Sequence, residues 1–311
     1  MGTIEEEELR LFVEYSSPLE PIPATLPESL VPRLALPLPR RPRAVLFDVY
    51  GTLFISGSGE VGTVMGRQAD ASSGASDAFL EAFRRASGAS PAAGAGPAMV
   101  DAYHAAIRER HTALREQGIP HPEVDIVAVW RRVLDALGEH ELEPAPVDLE
   151  LLAVAYETAA NPVWPMPHSR ELLARLRDEG IPLGIVSNAQ FYTPLLFPAL
   201  LGVRLAELGV DPSLTALSYR HRRAKPDPEL FVRPLAALRG RGIDSNEVAY
   251  VGNDMRNDVA AASANGCMTV LFAGDRRSLR VRAEDPSVAG ITPDSVVVRL
   301  ADVTSVCGLQ G

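Results

Sequence analysis

From Ala44 onward, short continuous apolar runs alternate with segments whose apolar residues recur every three or four positions. Five runs read as strands, at residues 44–47, 183–186, 214–217, 248–251 and 268–272. They are largely continuous and lack the in–out alternation of a sheet with one wet face, which predicts parallel strands covered on both sides. The segments between them are punctuated as helices. Ser169 is placed to cap one that buries Leu172, Leu173 and Leu176 and stops at Gly180. Asp227-Pro228 opens a second, with Leu230, Phe231, Leu235 and Leu238 on one side; Pro234 inside it is expected to kink or shorten it. A third runs from about Arg256 to Asn265 and ends at Gly266. This alternation predicts an α/β fold with a doubly wound parallel sheet.

Two stretches break the alternation. Between Leu53 and Pro165 lie roughly 110 residues, far more than a crossover needs. Val100, Tyr103, Ile107 and Leu114 recur there at helical spacing, as do Val127, Trp130, Leu134 and Leu137. Residues 56–164 therefore read as an inserted α-helical domain, leaving 44–55 and 165–311 as the core. Ser56-Gly57-Ser58-Gly59 is expected to be a flexible hinge between the two. Residues 1–43 read as an N-terminal extension: a short helical turn over Glu5–Phe12, then eight prolines between Pro18 and Pro42 that favour extended chain. Leu26, Leu30, Val31, Leu34 and Leu36 give it apolar groups to bury, so partial order is expected.

Composition narrows the class. A chain of 311 residues, 46% hydrophobic and 23% charged, can bury a large core without disulfides. Its two cysteines, Cys267 and Cys307, fit a reducing compartment. A formal net charge of −10 disfavours nucleic acid and anionic lipid as partners. The N-terminus lacks the basic start and apolar run of a signal peptide, and Glu6 stands where a myristoylation motif needs Ser or Thr. No apolar stretch approaches a membrane span. The expectation is a cytoplasmic protein acting on a small anionic molecule; nothing in the sequence supports a homodimer, though one remains open.

In an open parallel sheet, ligands bind beyond the carboxyl ends of the strands. The first strand ends in Asp48-Val49-Tyr50-Gly51-Thr52-Leu53 and the second in Ser187-Asn188. Lys225 lies in Ala224-Lys225-Pro226-Asp227-Pro228, and the fourth strand ends in Gly252-Asn253-Asp254, with Asp258 beyond. Each alone is ordinary: a turn, a cap or a solvated lysine. In this order, over residues 44 to about 275, they resemble the haloacid dehalogenase-like superfamily, and the helical insertion falls where one subgroup carries its cap. His121-Pro122-Glu123-Val124-Asp125 and Trp130 also look like cap sequences of that subgroup.

The resemblance implies a Rossmann-like core and a hydrolase with Asp48 as nucleophile, forming a covalent aspartyl intermediate. Lys225 would stabilise developing charge, and Ser187 with the Asn188 backbone N–H would hold an anionic oxygen. Thr52 and Asn253 would line the substrate site. Mg²⁺, in phosphatases of the superfamily, would be bound by Asp48, the Tyr50 carbonyl and Asp254, with Asp258 through water. Tyr50 itself is the departure. Phosphatases of the superfamily usually have a second Asp there for proton transfer, whereas 2-haloacid dehalogenases share Asp-x-Tyr-Gly-Thr-Leu. Those dehalogenases are metal-independent, lack the first carboxylate of the last motif, and hold the substrate carboxylate with an arginine, for which Arg84 and Arg85 are candidates. The two acidic positions Asp254 and Asp258 weigh against one tyrosine, and favour Mg²⁺-dependent hydrolysis of a phosphate monoester. The alternatives are a metal-independent 2-haloacid dehalogenase and a catalytically weak protein that binds a ligand or partner. His104 and His111 share a helix face but find no third metal ligand.

Overall fold

The computed structural model describes residues 4–58, 72–91, 95–138 and 147–309. Among the described residues eight strands form: β1 Ala44–Phe47, β2 Phe54–Ser56, β3 Val163–Pro165, β4 Leu183–Ser187, β5 Val210–Leu217, β6 Val248–Gly252, β7 Met268–Phe272 and β8 Ser295–Val297. Six make one sheet in the order β5-β4-β1-β6-β7-β8, every pair parallel. The chain builds outward from β1 through β4 and β5, then crosses to β6 on the other side of β1. That reversal places the sheet's crevice beside β1.

The continuity of the apolar runs has the predicted cause. In β1, Val45 and Phe47 join one buried cluster while Ala44 and Leu46 join the cluster on the opposite face. In β6, Ala249 and Val251 go one way, Val248 and Tyr250 the other. Two short features escaped the pattern. β8 has three residues, too few for periodicity, and β2 pairs antiparallel with β3 across more than a hundred intervening residues, with Ile55 opposite Trp164.

An N-terminal helix, α1, spans Ile4–Tyr15. Between β2 and β3 the described residues form α2 Ser72–Ser87, α3 Ala95–Glu116, α4 Ile126–Gly138 and α5 Leu149–Ala160. Trp130 is fully buried among Phe79, Tyr103 and Tyr156, with ring centroids 4.6 to 5.3 Å away. Helices α6 Ser169–Asp178, α7 Ser218–His221 and α8 Glu229–Arg239 follow, then a π-helical stretch Met255–Ala260 that runs into α9 Ala261–Ala264.

Three expectations need correction. Ser169 is the first residue of α6, because His168 at φ 69° takes the cap position. Pro234, buried inside α8, does not shorten the helix, which runs through it for 11 residues. The expected hinge is fastened up to Ser58: the Ser56 hydroxyl (2.8 Å), the Ser58 N–H (3.1 Å) and the Ser58 hydroxyl (2.8 Å) all donate to Asn161 Oδ1. Gly59, the last hinge residue, lies outside the described residues.

The N-terminal segment packs along the molecule. α1 buries Leu11 and Phe12, the latter 6.3 Å from the Tyr192 ring. The following chain reaches the loop after β7, where the Arg276 N–H donates to Ile22 O at 2.7 Å and Arg277 reaches the Glu20 carbonyl. It then buries Leu30 and Leu38, and the Leu38 N–H donates to Val306 O at 2.8 Å. Cys267 and Cys307 are buried free thiols. Among the described residues no helix is long and apolar enough to cross a membrane.

Candidate active site

Asp48 follows β1 directly, and its N–H donates to Val251 O of β6 at 2.9 Å, which holds it at the sheet's carboxyl edge. The chain then turns through Gly51 at φ 78°. A Cβ there would also run into the Asn253 amide and Ser278, so glycine is required twice over. Lys225 arrives from the loop between α7 and α8. Asn188, at the end of β4, clamps its backbone: Oδ1 accepts from the Lys225 N–H at 2.6 Å and Nδ2 donates to the Lys225 carbonyl at 3.4 Å.

The buried Lys225 ammonium has three N–H bonds and three acceptors. It donates to Asp48 Oδ1 at 2.7 Å, Asp258 Oδ1 at 2.6 Å and the Tyr250 hydroxyl at 2.8 Å. The Tyr250 hydroxyl in turn donates a hydrogen bond to Val186 O at 2.7 Å. Burial works against the lysine charge, but Asp258 and Asp48 outweigh it and hold the ammonium above its ordinary range. Two carboxylates share this one cation, and Asp258 bears the cost. Burial, then repulsion from Asp48 and Asp254, pushes it up to about 6 against the pull of Lys225. Gly252 leaves the space that Asp258 occupies against the end of β6.

Asp254 does something different. Its Oδ1 accepts from the N–H groups of Arg256 (2.8 Å) and Asn257 (3.1 Å), capping the helical stretch that follows. Arg282 grips the same carboxylate through Nε at 2.7 Å and Nη2 at 2.6 Å. The side chain that faces the Asp48 turn is Asn253, which accepts from Thr52 Oγ1 at 3.0 Å and donates to Ser278 O at 2.7 Å. Thr52 and Asn253 thus tie the Asp48 turn to the loop after β7.

The expected Mg²⁺ donors Asp48, Tyr50, Asp254 and Asp258 line one cavity, but the two late carboxylates are each engaged by a cation of the protein. Asp254 is spent on a helix end and a guanidinium, and Asp258 on Lys225 and the Asp254 N–H. The residue beside the Asp48 turn is a neutral amide with both ends bonded. Among the described residues no three His, Cys, Asp or Glu side chains group as a metal site. As the side chains stand, Asp254 and Asp258 would have to give up Arg282 and Lys225 to ligand a divalent cation.

Other expected residues separate. Asp48, Tyr50, Asn188, Lys225, Asn253, Asp254 and Asp258 all line one cavity of about 430 Å³. The Tyr50 hydroxyl, however, hydrogen-bonds to Thr193 Oγ1 at 3.0 Å, and burial above all, then the charge of Glu157, pushes it far above the ordinary phenol range. Ser187 Oγ is buried without a partner, away from the cavity lining. Arg84 and Arg85 are corrected outright: Arg84 pairs with Glu81, and Arg85 with Glu81 and Glu14, on the outside of α2. The arginines of the cavity are Arg115, Arg256, Arg280 and Arg282. Tyr250 and these arginines were missed. Tyr250 sits inside an apolar run where nothing marks its hydroxyl, whereas the run Arg276 to Arg282 was a visible basic cluster.

A parallel sheet with a buried lysine–carboxylate centre at its switch point defines an α/β protein with its candidate site at the carboxyl ends of the strands. The chain belongs to the haloacid dehalogenase-like hydrolases, whose family model matches residues 42–266. It is 28% identical over 229 residues to a phosphoglycolate phosphatase of Yersinia pseudotuberculosis, spanning 68% of this chain and 89% of that one. It is also 28% identical over 172 residues to a ribulose-1,5-bisphosphate 5-phosphatase of Halopiger xanaduensis, spanning 54% of this chain and 68% of that one. Solved structures share the fold: a phosphatase from Thermococcus onnurineus (19% identity, TM-score 0.50, covering 86% of this chain and 98% of that one). A 2-haloacid dehalogenase from Pseudomonas syringae is as similar (20%, 0.50, covering 85% and 97%).

Proposed function

We propose that the protein hydrolyses a small anionic substrate through an ester on Asp48 without a divalent cation, and that the bond broken is carbon–halogen, as in a 2-haloacid. One observation carries this reading. The position two residues after Asp48 holds Tyr50, not a second carboxylate, with its hydroxyl bonded to Thr193, and the Asp254 carboxylate is held by Arg282.

An Asp48 oxygen attacks the carbon bearing the halogen; a C–O bond forms and the C–X bond breaks, its electron pair leaving as halide. Halide needs no proton, so no acid is required at position 50. Water then hydrolyses the ester, returning the Asp48 carboxylate, the 2-hydroxy acid and one proton. Lys225 holds the Asp48 oxygen in place and balances the charge that gathers there. The buried free thiols Cys267 and Cys307 suit a reducing cytoplasm.

A second reading, Mg²⁺-dependent phosphate-monoester hydrolysis, is favoured by the names of the curated relatives. The test sets 2-chloropropionate beside phosphoglycolate, each with EDTA or MgCl₂. The expected result is chloride release unaffected by EDTA. Phosphate release that requires Mg²⁺, without chloride release, would overturn the reading; so would inactivity on both.

A further inference from the structure

The loop that delivers Lys225 is not held by the core alone. Between α3 and α4 runs a short strap, residues 120–125, whose Pro120, His121 and Pro122 line the cavity. Its backbone pairs with the residues just before Lys225. The Glu123 N–H donates to Arg222 O at 3.1 Å, and the Ala224 N–H donates to His121 O at 2.8 Å. The Glu123 side chain fastens that pairing. Its Oε2 accepts from the Ser218 hydroxyl at 2.7 Å, and its Oε1 accepts from the Val124 N–H at 2.9 Å and from Gln190 Nε2 at 3.4 Å. All three groups are donors, so an acceptor-only side chain satisfies them at once. Gln190 also donates from Nε2 to Val124 O at 3.0 Å, and its Oε1 accepts from the Ile126 N–H at 3.1 Å. Ser218 opens α7, which leads to Lys225. Gln190 lies two residues after Asn188, which clamps the Lys225 backbone. One carboxylate thus touches both loops on which Lys225 depends.

We infer that Glu123 is a positioning residue: through Ser218 and Gln190 it locks the 188–190 and 218–225 loops to the strap, and so sets Lys225 against Asp48. This rests on Asp48 and Lys225 being the reacting centre, and holds whichever bond is broken.

Lys225 is the only lysine in the sequence, so an amine-acylating reagent such as N-acetoxysuccinimide reads its exposure directly, with the α-amino group as reference. Peptide mass spectrometry on the full-length protein is expected to show slow acylation of Lys225 in wild type. In Glu123→Ala it should be roughly tenfold faster, the effect of removing hydrogen bonds to one carboxylate. Glu123→Gln should stay near wild type, because the Ser218 hydroxyl can turn to Ala189 O, 3.2 Å away, and accept from the new amide. Trp130→Phe disturbs the ring cluster of Phe79, Tyr103 and Tyr156 instead; it should lower the melting temperature and leave acylation unchanged. Should Glu123→Ala fail to fold, Ser218→Ala takes its place, with acylation several times faster. Unchanged acylation in that variant, or equal acceleration in Trp130→Phe, would overturn the role. With 2-chloropropionate, Glu123→Ala should lower kcat about tenfold and hold KM within about twofold; an unchanged kcat would overturn it too. Labelling needs no turnover, so a wild-type chloride assay that fails while the labelling pattern holds would reject the bond assignment alone.

Discussion

Around Lys225 each charged group has a partner of its own: three acceptors for one ammonium, and a carboxylate, Asp258, that also accepts from the Asp254 N–H. At the mouth of the same cavity, Arg256 has a buried N–H with no acceptor, and Arg115 is exposed. The inner group comes from strand ends and the loop bearing Lys225, all within the stretch matched by the family, 42–266. Part of the mouth comes from the loop after β7, which lies beyond that stretch and is held by Glu20 and Ile22 of the N-terminal segment. The difference is one of closure. A closed set of charges fixes where the Asp48 carboxylate sits, whereas at the mouth the Arg256 Nε meets no acceptor at hydrogen-bond distance.

The hardest blow to that contrast is at its centre. Lys225→Met strands two buried carboxylates, so unfolding should be easier by about 3 kcal/mol, and turnover should fall roughly 100- to 1000-fold. Adding Asp258→Asn removes one stranded charge and should recover part of the stability without recovering the rate. Urea denaturation and initial rates on both variants test this. A single variant as stable as wild type would mean that the inner charges are not closed upon one another.

A smaller effect is read with pH. Asp258 is raised to about 6 from an ordinary 3.8, chiefly by burial. Its folded form therefore binds a proton that the unfolded chain has already lost between those values. The stability it contributes is fully present below about pH 4 and is lost as pH rises through about 6. Comparing wild type with Asp258→Asn by urea denaturation at pH 4.5 and pH 7 isolates it from other carboxylates. Wild type should lose ground to the variant as pH rises; parallel curves would show that Asp258 is not crowded by its neighbours.

How far the sequence disclosed this site depends on whether a residue's role is local. Asp48, Asn188 and Lys225 follow strands or flank prolines, and the five main strands announce themselves because both of their faces are buried. Asp254 and Asp258 look alike in sequence. Which one caps a helix and which one meets the lysine depends on the space at Gly252 and on Arg282, 28 residues away. Tyr250 is a core residue by pattern, and its hydroxyl matters only because β1 and β6 bring it to Lys225. Arg84 and Arg85 were legible in another sense. Glu81 stands three and four positions before them, the spacing of surface helix pairs.

The smallest effect concerns Tyr50, which lies on the seam between the two regions. If it donated a proton in the reaction, the inner group would not be self-contained. Its hydroxyl instead bonds Thr193, and burial together with the nearby charges of Glu157 and Asp48 keeps its proton firmly in place at any working pH. Tyr50→Phe should therefore cost about 1 kcal/mol of stability, the value of one buried hydrogen bond, and leave kcat within about threefold. The ring remains to fill the same space, so KM should hold as well. A fall in kcat of about a hundredfold with an unchanged melting temperature would make the phenol part of the chemistry. The position would then be doing the work of the missing carboxylate, and the case for a leaving group that needs no proton would lose its support.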